Sequence, residues 1–256
     1  MSYKYLHIGK ASDLSGNDRI IYRLLEIMPG FLSWLTFAFF IFLSWKKPFW
    51  AAIFIIAFDL YWLVKTIYLS FHLRANWKKM KRYLLIDWQE RLINLKHDYI
   101  FQLVILPFYK EGFEVVSETV ESLINSKWDK SKMAIVLAYE ERVGEDAEKI
   151  ANDVLQKYEK QFGYFILSKH PKDLAGEMPG KGSNISWAAE AGRIGILDKN
   201  KIKYEDVLVS AFDIDTRVYQ QYFLCLTWHF LTCEKPYHSS FQPVPLYNNN
   251  IWDVPA

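Results

Sequence analysis

Cysteine is nearly absent from this chain. Only Cys225 and Cys233 occur, eight residues apart and outside any Cys-x-x-Cys spacing. That excludes a disulfide framework or a cysteine-based metal site, and leaves both as reduced residues near one helical face. An excess of charge is missing too: 31 basic against 29 acidic residues leave +2 at neutral pH, so no global field draws the chain toward nucleic acid. Disorder is excluded by a composition that is 51% hydrophobic and 17% aromatic. No small-x-small cleavage pattern comes after the first apolar run, which is longer than a secretory h-region, and this argues against a signal peptide.

The apolar content is concentrated near the N-terminus. Ile27–Trp45 carries no charged residue, and after Lys46-Lys47-Pro48 a second run extends from Phe49 to Leu73, broken only by Asp59 and Lys65. A spanning helix needs about 20 mostly apolar residues, so both runs qualify, and the short connector makes them an antiparallel hairpin. Lys65 can snorkel, whereas Asp59 needs a partner or a wet cavity. Arg19 and Arg23 precede the first run, and Arg74, Lys78, Lys79, Lys81 and Arg82 follow the second. Basic flanks of this kind stay on the cytoplasmic side. The expected order is a cytoplasmic segment over 1–26, spans at 27–45 and 49–73, and a basic linker over 74–98. Within the linker, residues 76–94 read as an amphipathic helix lying on anionic headgroups, or equally as a linker helix packed on the soluble domain.

From Tyr99 onward, over 99–256, the pattern changes. Short β-rich runs at Ile100–Leu106, Met133–Ala138, Tyr164–Leu167 and Val207–Phe212 alternate with helical patterns. Val116, Val120, Leu123 and Ile124 share one helical face, as do Ala147, Ile150, Ala151, Val154, Leu155 and Tyr158. Continuous apolar strands between amphipathic helices predict an α/β domain whose parallel sheet is covered on both faces. A further short strand is expected at Ser239–Val244.

In such sheets ligands bind beyond the carboxyl ends of the strands. Pro107, Tyr109 and Glu111 follow the first strand, Glu140 and Glu141 the second, and Asp213 and Asp215 the fourth. Acidic residues at three strand exits point to one shared polar site. Asp213 and Asp215 repel each other unless a divalent cation or a strong donor sits between them. Before the fourth strand, Gly176-Glu177-Met178-Pro179-Gly180-Lys181-Gly182-Ser183-Asn184 leads into a helix expected at Ile185–Ile196, with Ser183 or Asn184 as its cap. Glycines around Lys181 at a helix N-terminus suit an anionic group. The spacing is not that of a Walker A loop.

Taken in order, Pro107-Phe108-Tyr109-Lys110-Glu111, the acidic pair Glu140-Glu141, Gly180-Lys181-Gly182-Ser183-Asn184 and Asp213-Ile214-Asp215-Thr216 resemble the motif series of family 2 glycosyltransferases with the GT-A fold. The resemblance covers residues 99–250. It implies a Rossmann-like nucleotide-sugar-binding domain behind a two-helix transmembrane hairpin. The implied activity is that of an inverting, hexosyltransferase-type enzyme at a bacterial-type plasma membrane, with its catalytic domain cytoplasmic. The donor would be a nucleotide-sugar, a UDP-sugar in particular, and the acceptor a glycan or a lipid-linked hydroxyl. On this resemblance Pro107, Tyr109, Glu111, Glu140 and Glu141 would hold the base and ribose, and Lys181 the diphosphate. Asp213 would touch ribose or metal, and Asp215 would bind Mg²⁺ or Mn²⁺.

Two departures stand out. The second strand ends in a glutamate pair where the family carries aspartate, so the nucleotide contact falls to Glu140 or Glu141. The downstream Glu-Asp base motif and the Gln-x-x-Arg-Trp motif are missing, and Asp253 lies in a Trp-Asp-Val-Pro context that matches neither. The expectation is a C-terminally incomplete domain whose catalytic base lies outside the chain. Two rivals remain. One is a haloacid-dehalogenase-like phosphatase, whose Asp-x-Asp nucleophile motif would need Thr or Val where Arg217 stands. The other is a membrane scaffold that binds a nucleotide without catalysis.

Overall fold

Burial on both faces is what the strand sequences demand, and the computed structural model, which describes residues 8–174 and 176–244, supplies it. The chain falls into two units, one reaching to Ile86 and the other spanning Asp87–Phe241.

The first unit is a helical hairpin. Helix α1 (Gly16–Lys46) and helix α2 (Pro48–Leu84) leave Lys47 alone between them. Pro48 opens α2, where its missing N–H costs nothing. The 31 and 37 residues of the two helices correspond to about 46 and 55 Å, and each is long and apolar enough to cross a membrane. Their apolar side chains face outward almost throughout, the reverse of a soluble core. Hydroxyls are satisfied within the helices, with Thr36 bonded to the Leu32 carbonyl at 2.7 Å and Thr66 to that of Trp62 at 2.8 Å. Phe40 of α1 meets Phe54 of α2 with ring centroids 5.3 Å apart. Lys65 lies 4.6 Å from the Trp62 ring centre, a cation–π contact along the helix.

The single amphipathic helix expected over 76–94 is not one element. Its basic first half continues α2 without a break, because nothing in Asn76–Leu84 stops a helix. Its second half is helix α3 (Trp88–Leu92), capped by Asp87 through the Gln89 amide at 3.0 Å. Trp88 and Leu92 are buried in the second unit.

That second unit holds four parallel strands, β1 (Phe101–Pro107), β2 (Met133–Glu140), β3 (Tyr164–His170) and β4 (Val207–Ala211), ordered β3-β2-β1-β4. Between them run α4 (Phe113–Ile124), α5 (Glu145–Tyr158) and α6 (Lys181–Gly192), and α7 (Tyr222–Thr232) follows β4. Every residue of β1 and β2 is buried. Leu103, Ile105, Ala134 and Val136 pack with Ala188 and Ile196 on one face. On the opposite parity, Gln102 of β1 donates to Thr227 of α7 at 3.1 Å. At about 1.5–3 kcal/mol for each large apolar side chain fully buried, these central strands supply much of the driving force. Helix α6 sits so close to the sheet that a Cβ on Gly192 would lie 3.1 Å from Val136 Cγ2.

The expected α/β architecture is present as a parallel sheet with helices on both faces. Among the described residues no strand forms at Ser239–Val244, where Pro243 has no N–H to offer a ladder. Asp253 and the asparagines at 248–250 lie outside the described residues.

Candidate functional site

The chain winds outward from β1 to β2 to β3, then returns to place β4 on the other side of β1. This reversal parts the loops that leave β1 and β4, and a crevice opens beyond the strand ends. A cavity of about 430 Å³ lies there, lined by residues following β1, β2 and β4 and by the first turn of α6. Seven of the eight residues singled out from the sequence line it: Pro107, Tyr109, Glu111, Glu140, Lys181, Asp213 and Asp215.

Parity explains much of this convergence. Leu103 and Ile105 of β1, Ala134, Val136 and Ala138 of β2, and Val207 of β4 all face α6. Side chains alternate along a strand, so Pro107, Glu140 and Asp213 continue the same parity toward that side. Glu140 is therefore drawn in, while Glu141 turns away and accepts the Lys172 amide at 3.1 Å. Of these two glutamates, Glu140 lines the cavity.

The loop after β1 is held by its own acid. Glu111 Oε2 accepts the backbone N–H of Tyr109 at 2.6 Å and of Lys110 at 3.0 Å. The Phe108 amide donates to the Ala138 carbonyl at 2.9 Å. Tyr109 thereby stands on a fixed backbone with its ring partly exposed to the cavity.

Helix α6 begins at Lys181, four residues earlier than the sequence reading, with Gly180 rather than Ser183 or Asn184 as its cap. Lys181 and Gly182 join the helix instead of preceding it, and Ser183 donates back to the Gly180 and Met178 carbonyls, 2.8 Å each. Lys181 is thus at the first helical position, where the amides of the opening turn lack intrahelical acceptors. Its ammonium is ion-paired with Asp213.

Two polar lining residues, Asn184 and Arg142, were not foreseen as site residues. Asn184, one turn after Lys181, is 2% exposed. It donates to the Ala138 carbonyl at 3.4 Å, and its Oδ1 has no partner. Its spacing of three from Lys181 was a usable signal, since residues three apart share a helix face. Arg142 left no sequence signal. It reaches the cavity because a 3₁₀ turn over Glu141–Val143 folds it back onto Glu140, whose Oε1 accepts from Arg142 Nη2 at 3.0 Å. Gly144, at φ 98°, closes that turn in a conformation suited to glycine. The Glu140 carboxylate holds the Arg142 guanidinium above its ordinary pKa.

Among the described residues no cluster of three or more His, Cys, Asp or Glu side chains could hold a metal ion by itself. Asp213 and Asp215 supply two carboxylates. That donor set fits a hard cation completed by water and by oxygens of a bound ligand, the usual manner for Mg²⁺, and does not fit an all-protein cage.

No family model matches this chain, and no curated protein matches it. Among solved structures it is similar to a mannosyltransferase from Pyrobaculum calidifontis in complex with GDP-Man and Mn²⁺, at 14% identity and a TM-score of 0.37. The likeness covers 61% of this chain, which spans 39% of that one. At that score it assigns no residue and no substrate.

Proposed function

We propose that this chain is a membrane-anchored glycosyltransferase of GT-A, family 2 type, taking its sugar from a nucleotide donor, a UDP-sugar in particular. The observation that carries the reading is the shared cavity at the switch point of the sheet. It gathers an aromatic shelf (Tyr109), a buried acceptor (Glu140), a cation at a helix N-terminus (Lys181) and a carboxylate pair (Asp213 and Asp215).

Each group has a task matched to its chemistry. Tyr109 offers a face on which a base stacks, and Glu111 fixes that ring by tying down its loop. The Glu140 carboxylate accepts N–H or O–H groups of the nucleoside. Lys181 and the first-turn amides of α6 meet the diphosphate, where charge-assisted bonds and free backbone donors act together. Asp213 and Asp215 would hold Mg²⁺ or Mn²⁺, which when bound supplies Lewis-acid stabilisation of the diphosphate leaving group. The acceptor hydroxyl, on a glycan or a lipid-linked molecule, attacks the anomeric carbon from the face opposite the nucleotide and gives its proton to a carboxylate base. The sugar–diphosphate bond breaks with inversion, the nucleoside diphosphate leaving. Helices α1 and α2 anchor the domain, and the basic continuation of α2 marks the cytoplasmic side.

Calorimetric titration of UDP into the full chain, with and without Mn²⁺, tests the reading. Binding that requires the metal and is lost in Asp215→Asn is expected. Absence of metal-dependent nucleotide binding in the parent chain overturns it.

A further inference from the structure

We infer that Thr119 of α4 is the positioning residue of the Asp213–Asp215 pair. Its hydroxyl locks the peptide between Ile214 and Asp215 in the orientation that brings both carboxylates to one cavity. The inference rests on the donor-site reading above and deepens it by naming what sets the geometry of the two acids.

The carboxylates sit on a turn. The Thr216 amide donates to the Asp213 carbonyl at 2.9 Å, so Asp213–Thr216 closes as a β-turn with Ile214 and Asp215 at its centre. The closing bond of a β-turn joins its ends and leaves the central peptide to rotate. Turning that peptide over interconverts types I and II and changes the dihedrals of both central residues. Such a flip would swing Asp215 relative to Asp213. Among the described residues, those other than glycine with positive φ are Asp173 and Lys201, so Asp215 keeps the ordinary sign. Aspartate tolerates the opposite sign better than most residues, and its own backbone therefore does not forbid the flip. The restraint has to come from outside the turn.

Helix α4 supplies it. Thr119 is 1% exposed, and its Oγ1 donates to the Ile214 carbonyl, the oxygen of that central peptide. A threonine within a helix ordinarily turns its hydroxyl back to the carbonyl four residues earlier. Here that oxygen, on Val115, is 3.4 Å away and Ile214 is much nearer. The single hydroxyl proton therefore serves the turn. Two neighbours on α4 hold the chain further on. Ser122 Oγ accepts the Val218 amide at 3.2 Å, and Glu118 is ion-paired with Arg217 at the surface. Of these three, Thr119 alone reaches the peptide between the acids. A valine in its place fills the same space without a donor and orphans a buried carbonyl. Turning the peptide over then relieves the cost.

The test follows UDP binding by calorimetry against Mn²⁺ concentration on the full chain in detergent. The parent is compared with Thr119→Val, Thr119→Ser and Glu118→Gln, alongside hydrogen exchange over residues 212–218. The Mn²⁺ concentration giving half-maximal UDP binding should rise about 10- to 100-fold in Thr119→Val, the usual size for a group that orients metal ligands. Thr119→Ser keeps the hydroxyl and should restore the parent value. Glu118→Gln removes an exposed ion pair and should leave that value nearly unchanged. Amides over 212–218 should exchange faster in Thr119→Val than in Thr119→Ser, with or without metal. If Thr119→Val does not fold, Thr119→Cys, a weaker donor at the same place, takes its part, with a change in the same direction expected. An unchanged Mn²⁺ requirement in a folded variant lacking the hydroxyl overturns the inference. So does an equal change in Thr119→Ser or in Glu118→Gln, or unaltered exchange over 212–218, and in each case the donor-site reading stands. If the parent binds no UDP in the presence of Mn²⁺, the donor-site reading falls and this inference with it.

Discussion

Replacing Lys181 by methionine separates a structural role from a ligand-binding one, because the two carry different magnitudes here. The ion pair of Lys181 with Asp213 is exposed on both sides, with 56% and 62% of the side chains open to solvent. Such pairs contribute about 0–1 kcal/mol. With a mid-range urea slope of about 2 kcal/mol/M, the unfolding midpoint of Lys181→Met should move by no more than about 0.5 M. A charge-assisted bond from the same ammonium to a diphosphate oxygen is worth about 1.5–3 kcal/mol, or about 10- to 150-fold in dissociation constant. The expected result is therefore a nearly unchanged midpoint with UDP binding weakened by that factor. A third reading carries the opposite sign. The ammonium neutralises Asp213, so a metal ion without nucleotide competes with it, and its loss leaves the Asp213 carboxylate without that counter-charge. Mn²⁺ alone should bind Lys181→Met at least as tightly as it binds the parent. If UDP affinity is unchanged and Mn²⁺ alone binds more weakly, Lys181 supports the carboxylates and does not meet the diphosphate, and the assignment is wrong.

Other expectations test the frame around the cavity. A Cβ on Gly163 would lie 2.2 Å from the Ser131 carbonyl oxygen, beside the bond from the Gly163 amide to the Lys130 carbonyl at 2.7 Å. Gly163→Ala should thus cost about 1–3 kcal/mol from forced separation of two backbones, read as a lowered urea midpoint with the slope unchanged. The Tyr158 hydroxyl, bonded to Glu121 at 2.5 Å, and then Lys157 hold the Glu121 carboxyl below its ordinary value of 4.5. The folded pKa is depressed, so this stabilisation is present above 4.5 and is lost as pH falls through the folded value. Tyr158→Phe should flatten the acid limb of a melting-temperature profile, and an unaltered limb counts against the contact. Full-length chain should stay with the membrane pellet after alkaline carbonate washing while residues 87–241 expressed alone stay in the supernatant; release of the full chain would contradict anchoring.

The element types were legible from residue 99 onward because each strand is a continuous apolar run and α4 and α5 carry a clear stripe. Boundaries failed where the deciding interaction is not local. Helix α6 starts at Lys181 because Lys181 and Gly182 adopt helical backbone once Gly180 caps them, while glycine-rich composition reads as loop. Residues 76–94 split because the basic half extends α2 and Trp88 and Leu92 find a buried place against α7, where Trp88 and Trp228 have ring centres 5.5 Å apart.

The residue types of the site were equally legible, but their pairing was not. Whether Glu140 or Glu141 faces the cavity is a question of strand parity, and parity is normally read from polar–apolar alternation. In β2 every position is buried, so Ala134, Val136 and Ala138 look no different from Met133, Ile135 and Leu137. Only the position of α6 above one face breaks the tie. The same blindness hid Arg142, which comes back to Glu140 through a turn closed by Gly144 at positive φ. Doubly covered parallel strands thus announce where a site lies, at their carboxyl ends, and conceal which side of the sheet it occupies. Here that side is the one covered by α6, which is why the cation at its N-terminus and the carboxylates leaving β2 and β4 share one cavity.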